Sequence, residues 1–248
     1  MAMTDVEDVT NRSDALEPLF AYRQTMHDFK LRPESSALLI VDLQVGSAAD
    51  DGGYARVYRG LGYDHVEDAY LSRIQQVVIP NVRRLQEVFR LAGAPVIFLT
   101  VGTIVGDYSD MPPRFARGAR HWRRLGLEPP YARIGSRDMK VLEEIAPLGN
   151  EPVITKTGAS GFTGSALKSV LFNRGIRELA ICGVATAYCV ESTLRDAADH
   201  GYDTILVEDG CADSTEEIHQ RGVAGCAAFG RVDITERLIE EIGTSAHR

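Results

Sequence analysis

No apolar run in this chain approaches the roughly 18 consecutive residues that a membrane-spanning helix requires, so no membrane partner is expected. Positive charge is also in short supply. The 27 Lys and Arg face 35 Asp and Glu for a net −8, which removes any general attraction to nucleic acid or to an anionic surface. The four cysteines (Cys182, Cys189, Cys211, Cys226) form no CxxC and no pair spaced like a zinc site or a disulfide framework. Reduced thiols in a cytoplasmic protein are the simplest reading. The opening stretch MAMTDVEDVTNRSDALEP is acidic and polar, the opposite of a signal or transit peptide. Repeats, low-complexity tracts and linkers that would set off a second domain are absent from the sequence.

What is present is a series of short apolar runs. Residues 37–41, 95–101, 152–156, 179–182 and 204–207 are apolar nearly throughout, as in parallel strands buried on both faces. A short edge strand is expected at 231–234. Between them, apolar residues recur at helical spacing from 65 to 91, with Pro80 marking a break or the first turn of a second half. Further helices are expected at 136–147 with Ser136 as N-cap, at 164–174, from Cys189 to about 200, at 215–229, and from the last strand to about 242. Residues 45–64 read as a glycine-rich functional loop containing Tyr54 and Tyr58. Strands alternating with helices predict an α/β fold with three α/β/α layers and a mainly parallel sheet of about six strands. Residues 1–34 read as an N-terminal arm ordered against the body or another subunit, and 35–248 as one domain.

Segment 102–135 fits no period. It holds four prolines, and five arginines between 114 and 124 surround His121 and Trp122. The plain reading is a solvated excursion, since charge runs usually face water; the sharper one is a cover whose Arg or Trp touches substrate.

Three reactive side chains hold matched places. Asp42, Lys156 and Cys189 each lie at or just past the carboxyl end of an expected strand, where open α/β sheets put ligand chemistry. Singly, each has an ordinary explanation: a turn-capping Asp, a surface Lys, a packing Cys. Together they are complementary. The carboxylate can take a thiol proton, and the ammonium and a helix N-terminus can lower the thiol pKa.

The segments IVDLQ (40–44), KTGASGFTGSAL (156–167) and CGVATAYCVESTLRD (182–196) resemble the isochorismatase-like cysteine hydrolase superfamily over residues 37–232. The pieces at 52–54 and 61–64, with CVESTLRD, are most similar to its ureidoacrylate and biuret hydrolase branch. The resemblance implies Asp42 as general base, Lys156 as electrostatic partner and Cys189 as nucleophile. It also implies a cis peptide between Val184 and Ala185, and an oxyanion hole from the N–H groups of Ala185 and Cys189. The implied activity is cysteine-dependent hydrolysis of a C–N bond in a small amide, carbamoyl or ureido compound through a thioester. Phe162 and Tyr188 are the expected pocket walls, with core packing as their alternative, and Gln44 and Thr186 are expected to contact substrate or orient loops. Nicotinamidases of this superfamily pair histidines on a metal. His65 and His121 have no such partners, so neither metal nor other cofactor is expected. The partners implied are a small molecule, water and further copies of the chain in a dimer or tetramer. Two other readings share the scaffold: hydrolysis of a vinyl ether C–O bond, which the retained cysteine disfavours, and a non-catalytic assembly subunit.

Overall fold

The computed structural model describes residues 21–245. Six strands form one sheet: β1 (Ser36–Val41), β2 (Val96–Val101), β3 (Val153–Lys156), β4 (Glu178–Val184), β5 (Asp203–Ala212) and β6 (Arg231–Asp233). Every neighbouring pair is parallel, in the order β3-β2-β1-β4-β5-β6. The central strands β1 and β4 are buried at every position, which is why their sequences are apolar runs without alternation.

After β1 come α1 (Val45–Ala48) and α2 (Gly53–Gly60). Next, α3 (Asp64–Arg73) passes through a π-helical turn (Ile74–Val78) into α4 (Ile79–Leu91). Pro80 follows the π-helical turn directly and removes one backbone donor inside this continuous helix, the kind of site where the regular i to i−4 ladder is interrupted. Helix α5 (Pro113–Arg124) lies between β2 and β3, and α6 (Leu167–Asn173) precedes β4. Helices α7 (Glu191–Asp199) and α8 (Glu216–Cys226) flank β5 in the chain, and α9 (Thr235–Ser245) follows β6. The chain moves outward from β1 to β3, then returns to the other side of β1 for β4 to β6. Right-handed crossovers put the connecting helices of the two halves on opposite faces, giving three layers. The reversal between β1 and β4 opens a crevice at their carboxyl ends.

Four local expectations are revised. Residues 136–147 form not a helix but two 3₁₀ turns, Arg137–Met139 and Glu143–Ile145, and the Ser136 side chain caps neither. The stretch between them is held extended against residues 43–45: Val45 N–H donates to Lys140 O at 2.8 Å and Leu142 N–H to Leu43 O at 3.1 Å. Tertiary pairing here overrides helix propensity. The glycine-rich stretch after Asp42 is two helices, α1 and α2, instead of a loop. The helix expected from Gly164 starts at Leu167, because Gly164 takes a positive φ of 61°. Strand β5 runs past Val207 to Ala212 through a register shift opposite Ile181 and Gly183. Asp209, expected just past a strand end, lies in that irregularity, where its Oδ1 accepts from Thr235 N and Oγ1 at 2.8 Å each. It thus anchors the start of α9.

The first twenty residues of the expected arm lie outside the described residues. Its remainder packs on the body: Leu31 is fully buried, and Gln24 bonds to Ala227, Gly230 and Val232 beside β6. Among the described residues no helix is long and apolar enough to cross a membrane.

Candidate active site

Strand β1 runs straight into Asp42, whose φ is +53°, a left-handed conformation that Asp tolerates better than most residues and that recurs at functional sites. The adjacent end of β4 contains Gly183 at φ +122°. A Cβ there would overlap the Val41 carbonyl oxygen, so only glycine lets the two strand ends approach this closely. The next peptide, Val184–Ala185, is cis. A π-helical turn, Thr186–Val190, then carries Cys189 and continues into α7.

Lys156 closes β3, which is separated from β1 by β2. Its long side chain crosses the end of β2, and all three ammonium contacts are accounted for. Nζ lies 2.8 Å from Asp42 Oδ2, donates to Gly158 O at 2.9 Å, and reaches Cys189 Sγ at 3.3 Å. Asp42 and the Cys189 thiol also act on each other electrostatically. The three side chains that the sequence singled out therefore meet around the Lys156 ammonium.

Their electrostatics differ from the sequence expectation. Burial pushes the Cys189 thiol up to about 12; Lys156 opposes this, and the Asp42 charge adds to it. Desolvation and the neighbouring carboxylate thus favour the thiol over the thiolate by more than the ammonium opposes it. Burial also raises Asp42, against the pull of Lys156. Burial alone would lower Lys156, but the charges of Asp42 and Cys189 outweigh it and hold the amine protonated.

These groups open into a cavity of about 440 Å³. Val184, Ala185 and Tyr188 line it beside Cys189, and Tyr54, Tyr58 and Tyr70 form an aromatic wall. Segment 102–135 contributes Arg114, Phe115 and Tyr131 to the lining, so part of the segment lies over the cavity. The segment has its own small core of Tyr108, Met111 and Ala119. Tyr131 lies at its centre, with ring centroids 4.9 Å from Phe115, 5.3 Å from Trp122 and 6.3 Å from Tyr54. Trp122 therefore supports the cover and is not part of the lining.

Of the four residues expected to touch substrate, Tyr188 alone lines the cavity. Phe162 packs at the far side of its loop on His200 and Tyr202, with centroids 4.9 and 6.2 Å away, since its apolar ring is satisfied there. Gln44 is buried and ties loops together: Oε1 accepts from Val101 N–H at 2.7 Å, and Nε2 donates to Val101 O and Asp138 O at 3.0 Å each. Thr186 is fully buried beneath the reactive turn, its Oγ1 2.8 Å from His219 Nδ1. The orienting role expected of Gln44 and Thr186 describes both placements.

Sequence reasoning missed the frame under the turn. Arg73 lies 2.9 Å from His219 Nε2; a guanidinium only donates, so Nε2 accepts and Nδ1 carries the hydrogen offered to Thr186. Burial and Arg73 lower the His219 pKa, which keeps the ring neutral. Asp213 Oδ2 accepts from Ala187 N–H at 2.8 Å, pinning the turn from the end of β5. No motif pointed to these residues. Glu67 also lines the cavity. Among the described residues no group of three or more His, Cys, Asp and Glu side chains is arranged to hold a metal ion.

The isochorismatase domain model matches residues 36–236. The ureidoacrylate amidohydrolase RutB of Pseudomonas syringae pv. syringae is 31% identical over 202 residues, covering 77% of this chain and 76% of the relative. RutB of Acinetobacter baylyi is 30% identical over 244 residues, covering 95% of this chain and 94% of that one. Among solved structures, a cysteine hydrolase from Pseudomonas syringae pv. phaseolicola superposes with a TM-score of 0.71 at 22% identity, over 88% of this chain and 96% of that chain.

Proposed function

The chain belongs to the isochorismatase family, and from that premise we propose that it is a cysteine amidohydrolase that cleaves a C–N bond of a small ureido or carbamoyl acid. The observation that carries this reading is that Lys156 contacts both Asp42 and Cys189, which line one cavity. Amidohydrolase relatives of similar length support the C–N assignment.

In the proposed reaction the amide or ureido carbonyl lies over Cys189 Sγ. The thiol proton passes to Asp42 as the S–C bond forms, so no free thiolate accumulates beforehand. A raised Asp42 narrows the pKa gap for that transfer, the matching that general-base catalysis requires. The carbonyl oxygen becomes an oxyanion held by the N–H groups of Ala185 and Cys189. Lys156 keeps its proton throughout and offsets the negative charge shared by sulfur and carboxyl. Asp42 returns its proton to the departing nitrogen, the C–N bond breaks, and ammonia or an amine leaves a thioester behind. Water then attacks the thioester, giving one proton to Asp42, and breakage of the C–S bond restores the thiol.

Arg114 would meet a substrate carboxylate. It lines the cavity from the exposed side and makes no ion pair among the described residues. All four cysteines are free and three are buried, in keeping with work in a reducing cytoplasm.

The test is ammonia release from a panel of ureido acids, carbamoyl amino acids and primary amides. Wild type is expected to release ammonia from at least one, and Cys189→Ala and Cys189→Ser from none, with circular dichroism unchanged. Turnover surviving in the alanine variant would refute the covalent route.

A further inference from the structure

A carboxyl group that this reaction does not use lies in the same cavity. Glu67 belongs to the stripe 67, 71, 74, 78, 82, 85 and 89, which runs down one side of α3, the π-helical turn and α4. The other six members are Leu71, Ile74, Val78, Val82, Leu85 and Phe89, all buried against the core. The stripe keeps the three- and four-residue steps of a core-facing helix, so Glu67 stands where that pattern calls for an apolar side chain. It is 2% exposed. At this end the stripe meets the cavity instead of the sheet, and Glu67 lines it with Tyr54, Tyr58 and Tyr70.

Its Oε1 is buried and has no hydrogen-bond partner among the described residues. The Tyr70 hydroxyl donates elsewhere, to Ser47 O at 3.2 Å. Asp213, the other non-catalytic carboxylate of the cavity, is occupied by the N–H groups of Ala187 and Ser214. A buried acceptor without a donor is rare in folded proteins. Here the open space beside it is where a ligand would supply one.

We propose that Glu67 is a specificity-determining residue, its free oxygen accepting a hydrogen bond from a substrate N–H other than the nitrogen that leaves. The proposal rests on the amidohydrolase reading and narrows it to ureides. In a ureide the nitrogen retained on the carbonyl carries the hydrogen that Glu67 needs, whereas the matching carbamate ester has only an oxygen there. The charges of the cavity agree with this orientation. A substrate carboxylate is drawn to Arg114 and kept from Glu67, while the N–H end faces the acid. Burial raises Glu67 to about 7, against Arg59 and with Asp68 and Asp50 adding to the rise; Tyr58, Tyr70 and Asp213 are the other titratable groups around it. The neutral and ionised carboxyl groups both offer an acceptor oxygen, so the role does not depend on its charge.

The experiment compares ureidoacetate with carbamoyloxyacetate, which differ by N–H against O, with ammonia as the readout for both. Wild type is expected to favour the ureide at least tenfold in kcat/KM. Glu67→Met keeps the length of the side chain but offers no carboxyl acceptor. It should lose at least tenfold of that preference through a higher KM for the ureide, with kcat and the carbamate KM within threefold of wild type. Glu67→Gln, which keeps a carbonyl acceptor, should retain the preference. A purely structural role would instead lower the melting temperature and affect both substrates alike, whereas removal of an unpaired buried carboxyl should leave the melting temperature equal or higher. Glu67→Leu repeats the test if the methionine variant does not fold. Ureide turnover with an unchanged preference in Glu67→Met overturns the proposal and leaves the amidohydrolase reading standing. Loss of the preference in Glu67→Gln as well overturns it in favour of a charged partner. A wild type that hydrolyses neither compound overturns the proposal, and the amidohydrolase reading falls with it only if the wider panel of ureido acids, carbamoyl amino acids and primary amides also releases no ammonia.

Discussion

At Cys189 the same neighbour has two opposite effects. The Asp42 carboxylate discourages ionisation of the thiol in the resting enzyme, yet in the proposed reaction it receives the thiol proton. Replacing it separates the two. In Asp42→Asn the negative charge is gone while Lys156 remains 3.3 Å from the sulfur, so the thiol pKa falls and the thiolate fraction at pH 7.5 rises. Alkylation of Cys189 by iodoacetamide should then be several-fold faster than in wild type, while ammonia release drops by about 10²- to 10⁴-fold for want of a base. Peptide mapping keeps the measurement clean, because Cys182, Cys211 and Cys226 are fully buried. Slower alkylation in the asparagine variant would show that Asp42 favours the thiolate and would reverse the order of proton transfer argued above.

The reactive turn depends on α8 as much as on the strand that leads into it. His219 of α8 holds Thr186, and Gly222, one turn further on, lies directly against the backbone. A Cβ at Gly222 would sit 2.7 Å from Ala187 N and 2.9 Å from Thr186 C. Neither atom is the tip of a flexible side chain, so helix and turn must separate by a substantial part of an ångström. Positional errors of about 1 Å can cost roughly 10²-fold in rate, and overpacking about 1–3 kcal/mol. Gly222→Ala is therefore expected to lower kcat/KM by about 10²-fold, with a fall in melting temperature of about 2–10 °C. Gly243→Ala in α9 is the matched control: a Cβ there meets nothing within 4 Å among the described residues, and both quantities should stay at or above wild type. Equal kinetics in the two variants would mean that α8 does not set the position of Cys189.

Across the molecule, what sequence revealed and what it hid follow from the same packing. Strands buried on both faces must be apolar throughout, so β1, β2 and β4 were legible, and the reactive residues at their ends stood out as polar interruptions. The strand order was not legible. Nothing local in β3 says that Lys156 must reach across β2 to meet Asp42, or that Asp213 and His219 brace a turn far away in the chain. Segment 102–135 resisted reading because its aromatic residues converge on Tyr131 from several short stretches with no shared period. Glu67 could have been found by asking which member of the 67–89 stripe was not apolar. A further consequence of the packing involves every cysteine. Burial raises Cys182, Cys189, Cys211 and Cys226 above the ordinary thiol value, whereas in the unfolded chain each ionises near 8.5. Between that value and the folded pKa the folded state keeps protons that the unfolded state has released, so stability is intact below about pH 8 and lost as pH rises. Each such thiol contributes a slope of about 1.4 kcal/mol per pH unit, and Lys156, also raised, adds to it with the same sign at higher pH. The four thiols act in the same direction, so the alkaline loss of stability is steeper than for any one of them. Urea midpoints should therefore be level from pH 7 to 8 and fall steeply above pH 9. Cys226→Ala, less stable at neutral pH because it leaves a cavity, should show a slope shallower by about 1.4 kcal/mol per unit. A slope that does not change with the number of buried thiols would place the alkaline transition on other groups.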